Sequence, residues 1–286
     1  MKKDKYSHTA EGAAALRAAG TYEKKAKPNP DILAEKLIRT KYKIIVKNSI
    51  LRKLVLAFFN YNLPGMYEAH LCRTHYFDYI VNKELSENAS QLLILGAGLD
   101  TRAYRFKQLS NHVQFFEVDH PNTSEFKQKR LAKAGIDSKH VTFVSVDFTV
   151  ENTEDKLICN GFDKLKRTVV LWEGVVMYLN KEIITNVLKF VASLGKKSSI
   201  VFDYVYPSFY ETPDIYKNAK KHLRYVKKAG EPYTFGIDFN QVENFVNQHN
   251  LNLLSNINSD TINQKYLSKY KNTVTPWYAF AHCANN

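Results

Sequence analysis

Cysteine is scarce here: the 286-residue chain has three, Cys72, Cys159 and Cys283. None forms a CxxC pair and no histidines stand at ligand spacing beside them, which excludes a disulfide-stapled fold and a structural zinc site and leaves no metal to be expected. A reduced compartment follows, and the cytoplasm is the expectation. Nowhere do about twenty apolar residues run together, so no membrane span is expected. The basic start, MKKDKYSHTAEGAAALRAAG, meets no apolar core of signal-peptide length. Also missing are the phosphate-cradling GxxxxGK[ST] loop, the GxSxG nucleophile elbow, any fixed-period repeat and any low-complexity tract. Acids are outnumbered, 28 against 41 Lys and Arg, for a net charge of +13. Such a balance suits an anionic partner, but the excess lies in isolated pairs such as Lys24-Lys25, Lys196-Lys197 and Lys227-Lys228, the pattern of a solvated basic surface rather than a nucleic-acid platform.

What is present is enough for a sizeable core: 44% of residues are hydrophobic and 24% charged. The length fits one large α/β domain with a cap better than two small ones. The chain organises around residues 91 to 119. Leu92 to Leu95 is an apolar run that fits a buried parallel strand. It stops at Gly96-Ala97-Gly98, where two residues without a β-carbon let backbone amides approach a ligand. A second apolar run, Phe115 to Val118, ends in Asp119, where a strand-tip carboxylate can grip both hydroxyls of a ribose.

Before this stretch the pattern is helical. Residues 8 to 20 are alanine-rich, and 30 to 46 carry Ile32, Leu33, Leu37 and Ile38 at helical spacing. Residues 49 to 60, SILRKLVLAFFN, have the composition of a basic amphipathic segment that lies on a membrane, though a helix packed on the main domain is the reading preferred. Tyr67 to Leu85 is a further helix. Residues 1–88 thus read as a helical cap belonging to the same domain, and 89–286 as the ligand-binding part. There, strands at 91–96, 113–118, 141–146, 168–173 and 198–204 alternate with helices, which predicts a parallel sheet covered on both faces. The Tyr- and Lys-rich stretch within 205–235 exceeds a plain connection and reads as an inserted lid. A helix at 239–249 and strands at 251–257 and 277–283 close the chain.

Four successive strands finish at or beside a carboxylate: Asp119, Asp147, Glu173 and Asp203. In an open parallel sheet these ends line one crevice, where crowded acids need partners, hydrogen bonds or a cation. S-adenosylmethionine, a sulfonium attached to an adenosine, uses such a set, with Asp119 on the ribose, Asp147 at the adenine amino group and Glu173 near the methionyl ammonium. Asp203 reads equally well as structural. A dinucleotide is disfavoured, because the third glycine of GxGxxG is replaced by Thr101.

With these residues in view the sequence resembles the leucine carboxyl methyltransferase family and its bacterial polyketide-type O-methyltransferases. The blocks that carry the resemblance are LILGAGLDTRAYRF (93–106), FFEVDHP (115–121), VSVDF (144–148), WEGVVMYL (172–179) and SSIVFDY (198–204). The resemblance implies a Rossmann-like seven-stranded sheet, mostly parallel with a C-terminal reversed hairpin, and S-adenosylmethionine as cofactor. It implies that Arg73 meets the methionyl carboxylate, that Gly96, Ala97 and Gly98 lie along the cofactor, that Asp119 takes the ribose, that Asp147 and Phe148 flank the adenine, and that Glu173 stands at the amino end. The acceptor side is where the resemblance thins. A carboxylate acceptor, with a pKa of roughly 4, needs no general base, whereas a phenol near 10 does, and no strand-tip histidine other than His120 stands ready. The expectation is therefore O-methylation of a small anionic carboxylate, positioned by Tyr204, Tyr206, Arg224 and Tyr225 of the lid. A protein C-terminal carboxyl methyltransferase and a basic nucleic-acid-binding protein are the alternatives; the sequence does not give an oligomeric state.

Overall fold

The computed structural model describes residues 7–147 and 151–286. Five helices precede the first strand: α1 (His8–Gly20), α2 (Ala34–Leu37), α3 (Thr40–Lys47), α4 (Ser49–Asn62) and α5 (Met66–Ser86). The expected single helix over 30–46 is instead two short ones, because Ile38 and Arg39 are extended. Long-range contacts hold that break open. Arg130 donates to the carbonyl oxygens of Leu37 and Ile38, and Arg39 pairs with the buried Glu11 carboxylate at 2.7 Å. Carbonyls bonded sideways cannot accept along the helix axis.

Strands and helices then alternate: β1 (Gln91–Leu95), α6 (Arg102–Arg105), β2 (Gln114–Asp119), α7 (Pro121–Lys133), β3 (Val141–Ser145), α8 (Thr153–Cys159), β4 (Thr168–Trp172), α9 (Lys181–Ala192) and β5 (Ser199–Val205). The inserted stretch follows, with α10 (Ser208–Glu211) and α11 (Ala219–Ala229). The chain ends with α12 (Val242–Asn247), β6 (Asn252–Ile257), α13 (Ser259–Tyr266) and β7 (Tyr278–Ala284). The seven strands form one sheet in the order β3-β2-β1-β4-β5-β7-β6, parallel except for β7, which runs antiparallel to both of its neighbours. This is the expected mostly parallel sheet with a reversed C-terminal hairpin.

The central strands are buried along their whole length because both faces are covered, which is why they read as unbroken apolar runs. On one face Ala14 of α1, Phe77 and Ile80 of α5 and Leu131 of α7 pack with Leu92, Ile94 and Val169. On the other, Leu157 of α8, Leu188 of α9 and Val246 of α12 pack with Leu93, Val170 and Phe202. The inserted stretch is pinned through Phe209, wholly buried and stacked on Trp277 at 4.3 Å between ring centroids. No helix among the described residues is long and apolar enough to cross a membrane.

Candidate functional site

Strand register sets the site out in one row. Leu95 lies opposite Val118, Ile94 opposite Leu171, and Trp172 opposite Phe202. Counting on along the strands brings Asp119, Gly96, Glu173 and Asp203 level with one another on β2, β1, β4 and β5, across roughly 14 Å at about 4.8 Å per strand. Asp203 is therefore on the row although β5 continues for two more residues. Asp147 stands two residues beyond the end of β3, half-buried, its N–H donating to Glu151 at 2.9 Å. Phe148 lies outside the described residues.

At the glycine turn Gly96 has φ +66° and Gly98 φ +45°, backbone that favours residues without a side chain. A β-carbon on Gly96 would stand 2.6 Å from Val175 Cγ2, and one on Gly98 3.0 Å from the Ala10 methyl of α1. The turn is thus walled by the loop after β4 and roofed by the first helix. Asp119 accepts from the Gly98 N–H at 2.5 Å and the His120 N–H at 2.6 Å. Burial raises its pKa against those two amides, so additional donors to this carboxylate would be stabilising. His120 faces the other way: its Nδ1 caps α7, accepting from the Asn122 N–H at 3.3 Å. Beneath Asp119, Glu117 of the same strand pairs with Lys127 of α7 at 2.6 Å, and burial pushes its pKa up to about 7 despite that lysine.

The other half of the row is a buried lattice of arginines and acids. Arg73 of α5 reaches Glu173 at 2.9 Å, Asp203 at 2.7 Å and the Tyr278 hydroxyl at 2.8 Å. Asp203, wholly buried, also accepts from the Gly174 N–H at 2.5 Å and from Tyr278. Its role is to fix Arg73 and the turn after β4. Arg102 of α6 meets Glu173 at 2.7 Å and Asp78 at 2.7 Å, and also holds Asp100. Burial opposes the charge on Glu173, but Arg102 and Arg73 overcome it and hold the carboxyl well below the usual range. Arg17 of α1 bonds Asp31 at 2.8 Å and the Leu99 carbonyl at 2.7 Å. Thr101, standing where a dinucleotide turn has its third glycine, donates to Asp31. The cap is therefore tied to the strand tips by ion pairs as well as by packing.

The insertion is tied to the start of α1 through Glu231. Glu231, just past α11, accepts from Ser7 Oγ at 3.3 Å and from Thr9, while the Ser7 N–H donates to Thr123 of α7 at 3.3 Å. Nearby, Tyr178 and Tyr233 stack tilted at 5.2 Å, both half-buried, and Tyr233 takes a 3.2 Å hydrogen bond with His222 Nε2. Burial raises the pKa of both tyrosines and lowers that of His222 to about 4. The charges of Arg73 and Asp203 act on Tyr233, and that of Arg73 on Tyr178, so the pair stands near the arginine lattice.

The structure thus brings together Arg73, Gly96, Ala97, Gly98, Asp119 and Glu173, with Asp147 at the edge. The four residues expected to position the acceptor, Tyr204, Tyr206, Arg224 and Tyr225, do not stand on this row. Tyr204 alternates with Asp203 along β5, so it points to the opposite sheet face, where its hydroxyl donates to Asn256 at 2.8 Å. Tyr206 packs near Tyr204 and Phe239. Arg224 and Tyr225 are exposed on α11, the former bonded to its own helix at Lys220. Sequence reasoning missed Arg17, Arg102, Tyr178, Tyr233 and Tyr278. For Arg102 a signal existed, since the segment DTRAYR carries two arginines directly after the glycine turn; for Tyr233 there was none.

A model of the leucine carboxyl methyltransferase family matches residues 10–192. YktD of Bacillus subtilis, named as a candidate S-adenosyl-L-methionine-dependent methyltransferase, is 31% identical over 210 residues, which span 72% of this chain and 68% of that protein. A Mycolicibacterium smegmatis protein of the same designation is 34% identical over 139 residues, 48% of this chain and 46% of its own. Among solved structures, a DUF574 family protein from Streptomyces avermitilis superposes with a TM-score of 0.60 at 9% identity, covering 96% of this chain and 97% of that one. A candidate methyltransferase from Thermobifida fusca gives 0.59 at 12%, covering 100% and 97%. At these identities the two structural likenesses concern the fold.

Proposed function

Because the chain belongs to the leucine carboxyl methyltransferase family and is an S-adenosylmethionine-dependent methyltransferase, we propose that it methylates the carboxylate of a small anionic molecule, polyketide-like in character. The observation that carries the cofactor assignment is the row of Asp119, Gly96 and Glu173 across adjacent strand tips. When bound, the cofactor supplies an electrophilic methyl group on a sulfonium. Asp119 would hold the ribose hydroxyls, Gly96 and Gly98 would let the chain of the cofactor pass close to backbone, and Glu173 would meet the ammonium. Arg73 and Arg102 offer cationic edges to the methionyl carboxylate. Arg102 Nη2, buried and without a hydrogen-bond partner among the described residues, is a donor left over for such an anion.

Methyl transfer from a sulfonium is an in-line displacement, so the protein has to align the acceptor oxygen and exclude water. Tyr178 and Tyr233, protonated because burial raises them, can donate to an acceptor carboxylate beside Arg73. A hydroxyl acceptor is the second reading, favoured by the His222–Tyr233 hydrogen bond as a route for its proton. Against it, a histidine lowered to about 4 is a poor sink for a phenolic proton near 10.

The test is incubation with methyl-labelled cofactor and cell extract separated into metabolite, protein and nucleic-acid fractions. Label in the metabolite fraction that mild base releases as methanol is the expected result. Base-stable label overturns the ester, and label in protein moves the acceptor to a polypeptide C-terminus.

A further inference from the structure

Helix α4 has no buried residue, yet it is among the most apolar segments of the chain. Its inner side, with Leu56 and Phe59, leans on the cap. Its outer side carries Ile50, Leu54, Val55, Phe58 and Tyr61, with Ile50 68%, Leu54 62%, Phe58 72% and Tyr61 70% exposed. At 100° per residue these fall within one face. Scattered exposed apolar residues are ordinary, but a contiguous ridge of this kind marks a surface that meets something apolar.

Charge says what that something is. No acid occurs between Glu35 and Glu68, while Lys36, Arg39, Lys41, Lys43, Lys47, Arg52 and Lys53 all fall there. A second acid-free stretch, between Asp214 and Glu231, contains α11, and Lys221 of that helix sits over the Tyr61 ring at 4.8 Å. Lys221 of α11 thus borders the ridge, and α3, which packs on α4, carries the exposed Lys41 and Lys47, the latter paired with Glu35 at 3.3 Å. A symmetric dimer through this face would set the two basic borders against each other, an arrangement that repels. A protein partner would need polar handles, typically one hydrogen bond per 100–200 Å² of interface, and the outward face offers few beyond the Tyr61 hydroxyl and Lys53. An anionic bilayer asks for neither. It accepts an apolar ridge among its acyl chains while its headgroups neutralise the surrounding lysines, and aromatic rings such as Phe58 and Tyr61 suit the boundary.

We propose that the α4 ridge, with the basic residues of α3 and α11 around it, docks the protein reversibly on anionic membrane surfaces. The contact is peripheral: 14 residues of helix are about 21 Å long at 1.5 Å per residue and lie in the interface plane.

Sedimentation with vesicles tests this, using phosphatidylglycerol mixed with phosphatidylcholine, and phosphatidylcholine alone. The expected result is binding to the anionic vesicles at least tenfold tighter than to the neutral ones, weakening between 0.05 and 0.5 M salt. Leu54→Asp combined with Phe58→Asp should lower that binding at least tenfold, as should Lys41→Glu combined with Lys53→Glu. All four side chains are exposed, so unchanged thermal melting and cofactor affinity will certify both double variants. Equal binding by wild type and the Leu54/Phe58 variant would mean adsorption by charge alone and overturn the proposal. So would absence of binding, or a dimer in light scattering that this variant returns to monomer.

Discussion

Asp119 and Arg73 read alike in the sequence, as residues whose removal touches only the ligand. Their surroundings make them different. Asp119 is half-buried and held by two backbone amides, one on each oxygen, so Asp119→Asn keeps the size, removes the charge and turns an NH2 group against one of those N–H donors. We expect its affinity for the demethylated cofactor, measured by titration calorimetry, to fall by about ten- to a hundredfold, the ~1.5–3 kcal/mol of a charged hydrogen bond, with a smaller loss in melting temperature from the one amide left without its acceptor. Arg73 is 5% exposed and neutralises Glu173 and Asp203 together. Arg73→Ala leaves Asp203 with neutral donors only and Glu173 with Arg102 as its sole pair, and a broken buried pair costs ~3–5 kcal/mol. Its denaturation midpoint should drop sharply even without ligand; an unchanged midpoint would mean that the lattice contributes nothing to stability.

Helices and loops carry the next set of consequences. The roof over the glycine turn is held by Glu231, which ties the insertion to the first residues of α1. Glu231→Ala should speed release of the bound cofactor several-fold in a displacement experiment, and expose the insertion to faster trypsin cleavage. Equal rates would show that aromatic packing around Phe209 and Trp277 suffices to hold it. Gly65 starts α5 with φ +80°, and a β-carbon there would lie 2.5 Å from the Thr275 backbone nitrogen. Backbone cannot step aside, so Gly65→Ala should destabilise by at least the ~1–3 kcal/mol of a strained residue, detectable as lower thermal melting. The helix it disturbs is the one that carries Arg73, and affinity for the cofactor should fall with it.

For the whole molecule, acid is the condition to watch. Burial lowers the pKa of His70 to about 3, of His222 to about 4 and of His282 to about 4. Each unfolded histidine titrates near 6.5, so between pH 6.5 and 4 the unfolded chain binds more protons and stability falls as pH falls. The contribution of each is present above pH 6.5 and lost by its folded value, on the order of 3 kcal/mol for a shift of this size. Urea midpoints measured at pH 7 and pH 5 should therefore differ strongly, and His282→Gln should reduce the difference by about one proton's slope. Further acid meets Asp31 and Glu173, whose pKa values stand below the ordinary carboxylate range, so the lattice of the site should dissolve last.

What the sequence by itself determined is the part written in local pattern. The runs Leu92–Leu95 and Phe115–Val118, the glycines that break the first and the acid that ends the second required only the periods of strand and helix and the freedom of a residue with no β-carbon. They led to the sheet and to Asp119 and Gly96 at adjacent strand tips. Tertiary structure alone decided the rest. That Asp203 serves Arg73, 130 positions earlier in the chain, that the 30–46 segment breaks where Arg130 takes its carbonyls, and that Tyr178 and Tyr233 stand near the lattice while Tyr204 lies on the other sheet face all depend on pairings between distant segments. A buried charge takes whichever partner the fold delivers, and an outward apolar ridge such as α4 has the composition of an inward one. Neither choice leaves a mark on neighbouring residues, and only packing settles it.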